Sequence, residues 1–197
     1  DHIHQSGLDF LQKQSDVEFI DYSHLKKDEL LEKLEDADVA ITRSSTDVNE
    51  KFINAAHKLK AVVRAGVGVD NVDIDACSKK GIIVMNVPTA NTIAAVELTM
   101  AHIINSVRNF PGANNQLKNE KIWKREDWYG TELKGKTLGI IGFGNIGSRV
   151  ASRAKAFEME VIAYDPYVKD SVIIDAGMVC AKHIDDILKC DIITVHT

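Results

Sequence analysis

Three glycines and one aspartate have the spacing of a turn that binds a phosphate-bearing ligand. Gly142, Gly144 and Gly147 follow the apolar run Thr137–Ile141, and Asp165 ends a second apolar run. The first glycine permits a tight bend from strand to helix, the second lets an anion approach the backbone, and the third lets the helix pack closely. The pattern predicts a dinucleotide site, and the alternative is a glycine turn without a ligand.

The acid and the start of the following helix predict which dinucleotide binds. Amides from Asn145 and Ile146 onward lack partners at a helix N-terminus, so they can hold a pyrophosphate without a lysine. The Asp165 carboxylate can accept hydrogen bonds from both ribose hydroxyls, and its charge repels a 2′-phosphate. NAD is therefore favoured over NADP, although Lys169 is a nearby cation that weakens this preference.

A second glycine-bearing turn, residues 64–71, lies at the end of a predicted strand, 61–65. Its Val67 and Gly68 amides can form a nest for a carboxylate, and Gly66 and Gly68 lower the cost of the dihedral angles that a nest needs. Taken alone, the turn is better explained as an ordinary strand-to-helix connection. Because ligands bind at the carboxyl ends of parallel strands, we expect the two turns to enclose a cleft.

Strand and helix patterns alternate along the chain in two blocks, which predicts an α/β fold. A short helix is marked by Asp73, which can cap its start, and by Gly81, which can adopt the left-handed conformation after its last turn. A helix at 8–14 follows what we interpret as the remnant of a strand at 2–4, which indicates a trimmed N-terminus. The other predicted elements are strands 17–22, 39–43, 61–65, 82–87 and 191–197 and helices 27–37 and 50–59.

The segment between the two blocks is strongly apolar. Residues 93–107 predict a helix that is buried on most faces, with His102 packed among its neighbours. This helix is too short to cross a bilayer. We expect it to connect two domains and to pack against a partner subunit. In the polar stretch 109–134 that follows, Trp123, Trp128 and Tyr129 are either interface anchors or caps on a sheet edge.

Composition and charge exclude several classes of protein. The chain has 197 residues and a formal net charge of −5, and its 24 basic residues form no stripe for nucleic acid. The first residues lack the basic and apolar regions of a signal peptide, which predicts a cytoplasmic protein without a membrane segment. Cys77, Cys180 and Cys190 have no metal or redox spacing and are expected to be reduced thiols. His2 and His4 lack further ligands at metal spacing.

Several long segments resemble the D-2-hydroxyacid dehydrogenase family. They are TRSSTDV from Thr42, the run 59–103 that contains RAGVGVDN, the run 123–166 around the first glycine turn, and CDIITVHT at 190–197. The resemblance implies NAD-linked oxidation of a D-2-hydroxy acid to a 2-oxo acid. It also implies part of a flavodoxin-like substrate domain at 1–90, a linker helix and crossover at 91–132, and the first half of a Rossmann domain at 133–197, in a homodimer or homotetramer.

The resemblance also implies contacts to the substrate. Val67 and Gly68 match backbone donors to the substrate carboxylate, and Asn91 matches a side chain that holds substrate or cofactor. Arg43 and Ser44 match the phosphate-end contacts of members that oxidise D-3-phosphoglycerate to 3-phosphooxypyruvate in serine biosynthesis, where a guanidinium suits a phosphate. The next residue is a serine where a second arginine is common. The alternative for Arg43 is a solvated charge.

The remaining matches line the cofactor, and none of them is catalytic. They are Gly142, Phe143, Gly144, Asn145, Ile146, Gly147, Tyr164, Asp165, Pro166, His196 and Thr197. In this family the general base is a histidine assisted by a glutamate, and an arginine polarises the substrate carbonyl. All three residues would lie beyond position 197. The resemblance therefore implies no catalytic residue, no metal and negligible turnover for these residues alone. Two other functions stay open, a hydroxypyruvate or glyoxylate reductase and a non-enzymatic NAD(H)-sensing co-regulator.

Overall fold

The computed structural model describes residues 1–197, which form two compact units, 1–91 and 92–197. Each unit has its own parallel sheet and its own hydrophobic core. The boundary lies after Asn91, so the expected linker segment is grouped with the second unit. The assignment of the units as substrate and coenzyme domains stays a prediction.

The first unit contains a parallel sheet in the order β1 (Val39–Thr42), β2 (Ala61–Arg64), β3 (Ile83–Asn86). Its helices are α1 (Gln5–Gln12), α2 (Lys27–Glu32), α3 (Glu50–Ala55) and α4 (Ile74–Lys79). The register pairs Thr42 with Arg64 and Arg64 with Asn86. The carboxyl ends of the three strands therefore reach one edge of the sheet together.

Two strands expected near the N-terminus are wrong. Residues 2–4 and 17–22 form no strand, and Val17 and Ile20 are exposed. Alternation of apolar and polar residues makes a strand only where a neighbouring strand supplies hydrogen-bond partners, and the sheet consists of β1, β2 and β3 alone. The expected helix at 8–14 is present but begins at Gln5, because the Nδ1 atom of His4 accepts a hydrogen bond from the Ser6 amide and caps it.

Helix α4 begins and ends as its sequence predicts. The Asp73 carboxylate accepts a hydrogen bond from the Ala76 amide at 2.9 Å, and Gly81 has a φ of 69° after the last turn. Helices α2 and α3 are shorter than predicted. The chain turns after each of them, with Leu34 and Leu59 buried in the turns, before it enters β1 and β2.

The second unit contains a four-stranded parallel sheet whose strand order reverses at its first strand. The order is β6 (Val179–Cys180), β5 (Glu160–Tyr164), β4 (Thr137–Ile141), β7 (Ile192–Val195). The helices are α5 (Thr92–Arg108), α6 (Phe110–Asn115), α7 (Gly147–Ala156), α8 (Asp170–Asp175) and α9 (Ile184–Ile187), with a π turn at Gln116–Glu120 and a 3-10 turn at Arg125–Trp128. None of the helices combines the length and the apolar character needed to cross a bilayer.

Helix α5 is buried on one face, not on most faces as predicted. Val96, Met100 and Ile103 belong to the core of the second unit, whereas Leu98 and His102 are exposed. The buried residues recur every three to four positions, which makes one stripe along a helix. The apolar composition of the segment therefore exceeds what the core of its own unit covers, and the expectation that His102 is packed is wrong.

Candidate functional site

The predicted cofactor-lining residues meet at the carboxyl edge of the second sheet. Ile141 at the end of β4 lies beside Tyr164 of β5 and Val195 of β7. The Gly142 amide donates to the Tyr164 carbonyl at 2.9 Å, and the His196 amide donates to the Ile141 carbonyl at 2.7 Å. These residues surround the point where the strand order reverses, which is where such sheets bind ligands.

Two of the three glycines are required by contacts within the chain. Gly142 has a φ of 91°, and a Cβ there would lie 2.7 Å from the carbonyl carbon of His196. A Cβ on Gly147 would overlap the carbonyl oxygen of Gly142 and would lie 3.3 Å from the Ile140 side chain. These glycines provide the tight bend and the close helix packing that their spacing predicts.

Gly144 differs, because nothing within the chain requires a glycine there. A Cβ on Gly144 would have no neighbour within 4 Å, and the residue is not in the left-handed region. Neither conformation nor packing accounts for the missing side chain. What the glycine does is leave the backbone open to a group from outside the chain.

Four consecutive amides at this turn have no partner in the chain. They belong to Gly144, Asn145, Ile146 and Gly147. Helix α7 begins at Gly147, slightly later than expected, because the Arg149 amide donates to the Ile146 carbonyl, three residues back, at 3.0 Å, which interrupts the α-helical pattern. The Ser148 amide and hydroxyl both donate to the Gly144 carbonyl, at 3.2 and 2.7 Å. Free amides at the positive end of a helix form an anion-binding site.

The Asp165 carboxylate is tied to this turn. It accepts hydrogen bonds from the amides of Phe143 at 2.7 Å, Tyr167 at 2.8 Å and Val168 at 3.1 Å. Burial raises the pKa of Asp165, but the three amide hydrogen bonds outweigh burial, and the pKa lies below its ordinary value. The carboxylate is therefore ionised at neutral pH. The Phe143 side chain is buried in the core, so only its backbone faces the site.

His196 follows β7 at the same edge, with Thr197 after it, and it is half-buried. Its Nε2 atom lies 3.0 Å from the Thr194 hydroxyl, and burial lowers the pKa of the imidazole. No carboxylate hydrogen-bonds to this ring, so nothing raises its pKa toward that of a general base. Its expected role beside the cofactor stays a prediction.

A second candidate site lies within the first unit, at the carboxyl edge of its sheet. It is a cavity of about 470 Å³ that we call the anion pocket, lined by Arg43, Ser44, Arg64, Ala65, Gly66, Val87, Ala90 and Asn91. The lining contains two guanidinium groups and no carboxylate, and neither arginine forms a salt bridge. Two guanidinium groups that line one cavity suit an anion.

Three of the predicted substrate contacts, Arg43, Ser44 and Asn91, line the anion pocket together. The other two, Val67 and Gly68, lie in the adjoining turn and do not line the cavity. Their amides donate no hydrogen bond within the chain, as a nest requires. No group of three or more side chains that could hold a metal ion is present.

The expected conformational role of the glycines in this turn is wrong. Neither Gly66 nor Gly68 has a positive φ. The three atoms nearest to a Cβ on Gly66 would belong to the Arg64 side chain, and a Cβ on Gly68 would meet only the Asp70 side chain, 2.7 Å from its carboxylate oxygen. Flexible side chains, not backbone atoms, therefore occupy the space beside these glycines.

Sequence reasoning missed Arg64. This residue ends β2, and its Nε atom is buried without a hydrogen-bond partner. Because an unpaired buried donor is destabilising, an anion that reached the guanidinium would relieve that cost. Its proximity to Arg43 depends on the register of β1 and β2, which pairs Thr42 with Arg64 and which the sequence alone does not show.

Comparison with known proteins identifies the family. The model of the D-isomer specific 2-hydroxyacid dehydrogenase catalytic domain matches residues 1–193, and the chain belongs to this family. It is 45% identical over 197 residues to D-3-phosphoglycerate dehydrogenase of Methanocaldococcus jannaschii and 45% identical over 196 residues to that of Homo sapiens, covering 100% and 99% of this chain. The chain spans 37% and 35% of the length of these two relatives.

Solved structures agree with this assignment. The structure of D-lactate dehydrogenase from Aquifex aeolicus complexed with NAD and lactic acid superposes with a TM-score of 0.84 at 29% identity, covering 99% of this chain and 59% of that one. The NAD⁺-bound 3-phosphoglycerate dehydrogenase of Entamoeba histolytica gives a TM-score of 0.68 at 36% identity, over 88% of this chain and 50% of that one. The α/β fold class expected from the sequence, with its flavodoxin-like and Rossmann parts, is confirmed.

Proposed function

We propose that this protein is an NAD-dependent dehydrogenase that oxidises D-3-phosphoglycerate to 3-phosphooxypyruvate. The observation that carries the substrate is the anion pocket, in which Arg43 and Arg64 are present without a carboxylate. Two guanidinium groups suit a phosphate dianion, whereas a methyl group offers them no hydrogen bond and a hydroxyl group offers only a weaker, uncharged acceptor. The names of the relatives at 45% identity support the same substrate.

The turn after β4 fits NAD. The free amides of residues 144–147 would hold the pyrophosphate, and Asp165 would hold the adjoining ribose. Three amides already use three of about four acceptor positions on that carboxylate, so one ribose hydroxyl binds without displacing them. Because Asp165 is ionised, it repels a 2′-phosphate and favours NAD over NADP. When bound, NAD supplies the acceptor for the hydride from the substrate.

The residues of the first unit would bind and orient the substrate. The amides of Val67 and Gly68 would donate to its carboxylate, Arg43, Ser44 and Arg64 would hold its phosphate, and Asn91 would hold substrate or cofactor. No histidine or carboxylate lines the anion pocket, so we assign no proton transfer to these residues.

Calorimetric titration of the 197-residue chain tests both assignments. We expect NAD to bind at least about 10-fold more tightly than NADP, and D-3-phosphoglycerate at least about 10-fold more tightly than D-glycerate, which lacks the phosphate. Equal binding of the two acids would contradict the phosphate assignment and favour a reductase of unphosphorylated hydroxy acids. NADH binding without turnover of any 2-hydroxy acid by the whole protein would favour a co-regulator.

We also propose that the protein forms a homodimer through the segment 110–132. Trp128 packs within this segment and donates its indole N–H to Gln116 at 2.8 Å. Trp123 and Tyr129, in contrast, are 77% and 72% exposed, beside a cavity of about 650 Å³. Exposed aromatic side chains at a cavity are typical of protein interfaces, so the two residues favour the interface interpretation over that of sheet-edge caps.

Light scattering tests the dimer. Replacing both Trp123 and Tyr129 by alanine should shift the particle toward a monomer, because large aromatic anchors contribute strongly to interfaces. Tyr167→Ala is the matched control, since Tyr167 is 96% exposed in another part of the unit. An unchanged mass for the double variant, or a monomeric unsubstituted chain, would contradict the proposal.

The three cysteines support a reducing compartment. Cys77, Cys180 and Cys190 form no disulfide in this structure, and reduced thiols are usual in the cytoplasm. We therefore propose a cytoplasmic location, which fractionation of the source cells with a specific antibody would test.

A further inference from the structure

Both segments assigned to the substrate are held by an asparagine side chain. The Asn71 amide donates to the carbonyls of Arg43 at 2.7 Å and Thr46 at 2.6 Å. The Asn86 amide donates to the Val67 carbonyl at 2.7 Å. Neither asparagine lines the anion pocket, so each acts on the site through the backbone that it holds.

We propose that Asn71 and Asn86 are positioning residues that orient backbone donors for the two ends of the substrate. Asn71 serves the phosphate end, through the loop 43–46. Asn86 serves the carboxylate end, through the turn 66–68. The chemical identity of the two ends rests on the proposed function, whereas the hydrogen bonds that carry the inference do not.

The planarity of the peptide bond explains how a held carbonyl orients a donor. In a trans peptide the C=O and the following N–H point in opposite directions. When Asn86 holds the Val67 carbonyl, the Gly68 N–H must point away from the end of β3. The Val87 amide holds the Gly66 carbonyl at 2.9 Å in the same way and so directs the Val67 N–H. Two adjacent amides therefore converge on one side of the turn, as a carboxylate requires.

The same geometry applies to the loop after β1. Asn71 holds the Arg43 carbonyl, so the Ser44 N–H points away from Asn71, and this amide donates to no group in the chain. The second hydrogen bond, to Thr46, fixes the far end of the loop. The Arg43 amide is held by the Asp1 carboxylate. The backbone from which the Arg43 guanidinium extends is therefore fixed at several points.

Two further observations favour positioning over simple packing. Gly66 and Gly68 have no positive φ, and glycine restricts the backbone dihedral angles least of all residues, so the hydrogen bond from Asn86 supplies a restraint on the turn that the glycines do not. The Oδ1 atom of Asn71 is buried without a hydrogen-bond partner, which is destabilising. An apolar side chain of similar size would avoid this cost but would leave the Arg43 and Thr46 carbonyls without the Asn71 donor.

A crossed titration tests the inference on the 197-residue chain. Inorganic phosphate and D-lactate each carry one end of the proposed substrate, and their binding is followed by amide nitrogen–proton NMR. We expect Asn71→Ala to weaken phosphate binding about 10-fold and D-lactate binding less than about 2-fold, because only the loop 43–46 loses its anchor. Asn86→Ala should give the opposite pattern.

The crossed pattern separates positioning from a general structural role. A merely structural role would weaken both ligands equally in both variants, and that result overturns the inference. If Asn71→Ala does not fold, Asn71→Ser, which keeps one donor, should give a smaller loss of the same selectivity. If the unsubstituted chain binds neither ligand, the proposed function itself fails. If every variant binds both ligands as tightly as the unsubstituted chain does, the inference is overturned and the proposed function is not.

Discussion

The turn after β4 and the turn after β2 both place glycines between a parallel strand and a helix, yet different groups fix their shapes. After β4, backbone atoms crowd the missing side chains of Gly142 and Gly147. After β2, the atoms nearest to a Cβ on Gly66 or Gly68 are side-chain atoms, and the carbonyls of Gly66 and Val67 are held from the end of β3. Glycine spacing therefore indicates backbone shape in the first turn and leaves it undetermined in the second.

The largest expected effect of this difference is on stability. Gly147→Ala places a Cβ against the Gly142 carbonyl, which is held within a turn and a helix start, so we expect a loss of roughly 3 kcal/mol or more. Gly66→Ala first meets the guanidinium end of the Arg64 side chain, which can move, and should change stability by less than about 1 kcal/mol. Urea unfolding followed by circular dichroism measures both. Similar losses in the two variants would show that the turns are fixed alike.

In the turn after β4, a substitution at Gly144 should change NAD binding without changing stability. Because a Cβ on Gly144 has no neighbour within 4 Å, Gly144→Val should unfold like the unsubstituted chain. The valine would project where a pyrophosphate must approach, so NAD binding should fall about 100-fold. Calorimetry with NAD and urea unfolding are both needed. Normal NAD binding by a well-folded Gly144→Val chain would remove the pyrophosphate from this turn.

The anion pocket gives the next effect, in binding alone. Arg43→Ala and Arg64→Ala should each weaken binding of D-3-phosphoglycerate about 10-fold, because each removes a charge-assisted hydrogen bond, and should leave D-glycerate nearly unchanged. Lys60→Ala is the matched control, since it removes a positive charge at the opposite end of β2, where Lys60 pairs with Asp38. If Lys60→Ala reduces phosphoglycerate binding as much, the effect is one of net charge and not of the pocket.

Local patterns in the sequence brought together the residues of the candidate site in the second unit more completely than those in the first unit. The strand, the glycine turn and Asp165 lie within one short stretch, so their spacing alone places them together. Arg64 was missed because its partnership with Arg43 depends on the register between two strands. The strand predicted at 17–22 is wrong for the same reason, since alternation cannot show whether a partner strand exists. Helix α5 was expected to be buried because composition does not show which apolar face the core covers.

The smallest expected effect is a dependence of stability on pH that differs between two groups at the carboxyl edge of the second sheet. Burial lowers the pKa of His196 below 6.5, so the folded state favours the neutral imidazole. The contribution of this preference to the free energy of unfolding is fully present above pH 6.5 and is lost as pH falls through the folded pKa. Burial raises the pKa of Asp165, but amide hydrogen bonds bring it below 3.8, so its contribution is complete above pH 3.8 and is lost in stronger acid.

The two windows can be separated by substitution. Urea unfolding of His196→Asn should lose the decrease in the free energy of unfolding just below pH 6.5 and keep the one below pH 3.8. Asp165→Asn should do the reverse, and it should also loosen the turn, because the neutral amide is a weaker acceptor for the Phe143 amide and presents a donor to the amides of Tyr167 and Val168. Identical pH profiles for both variants and the unsubstituted chain would show that neither side chain changes its ionisation on folding.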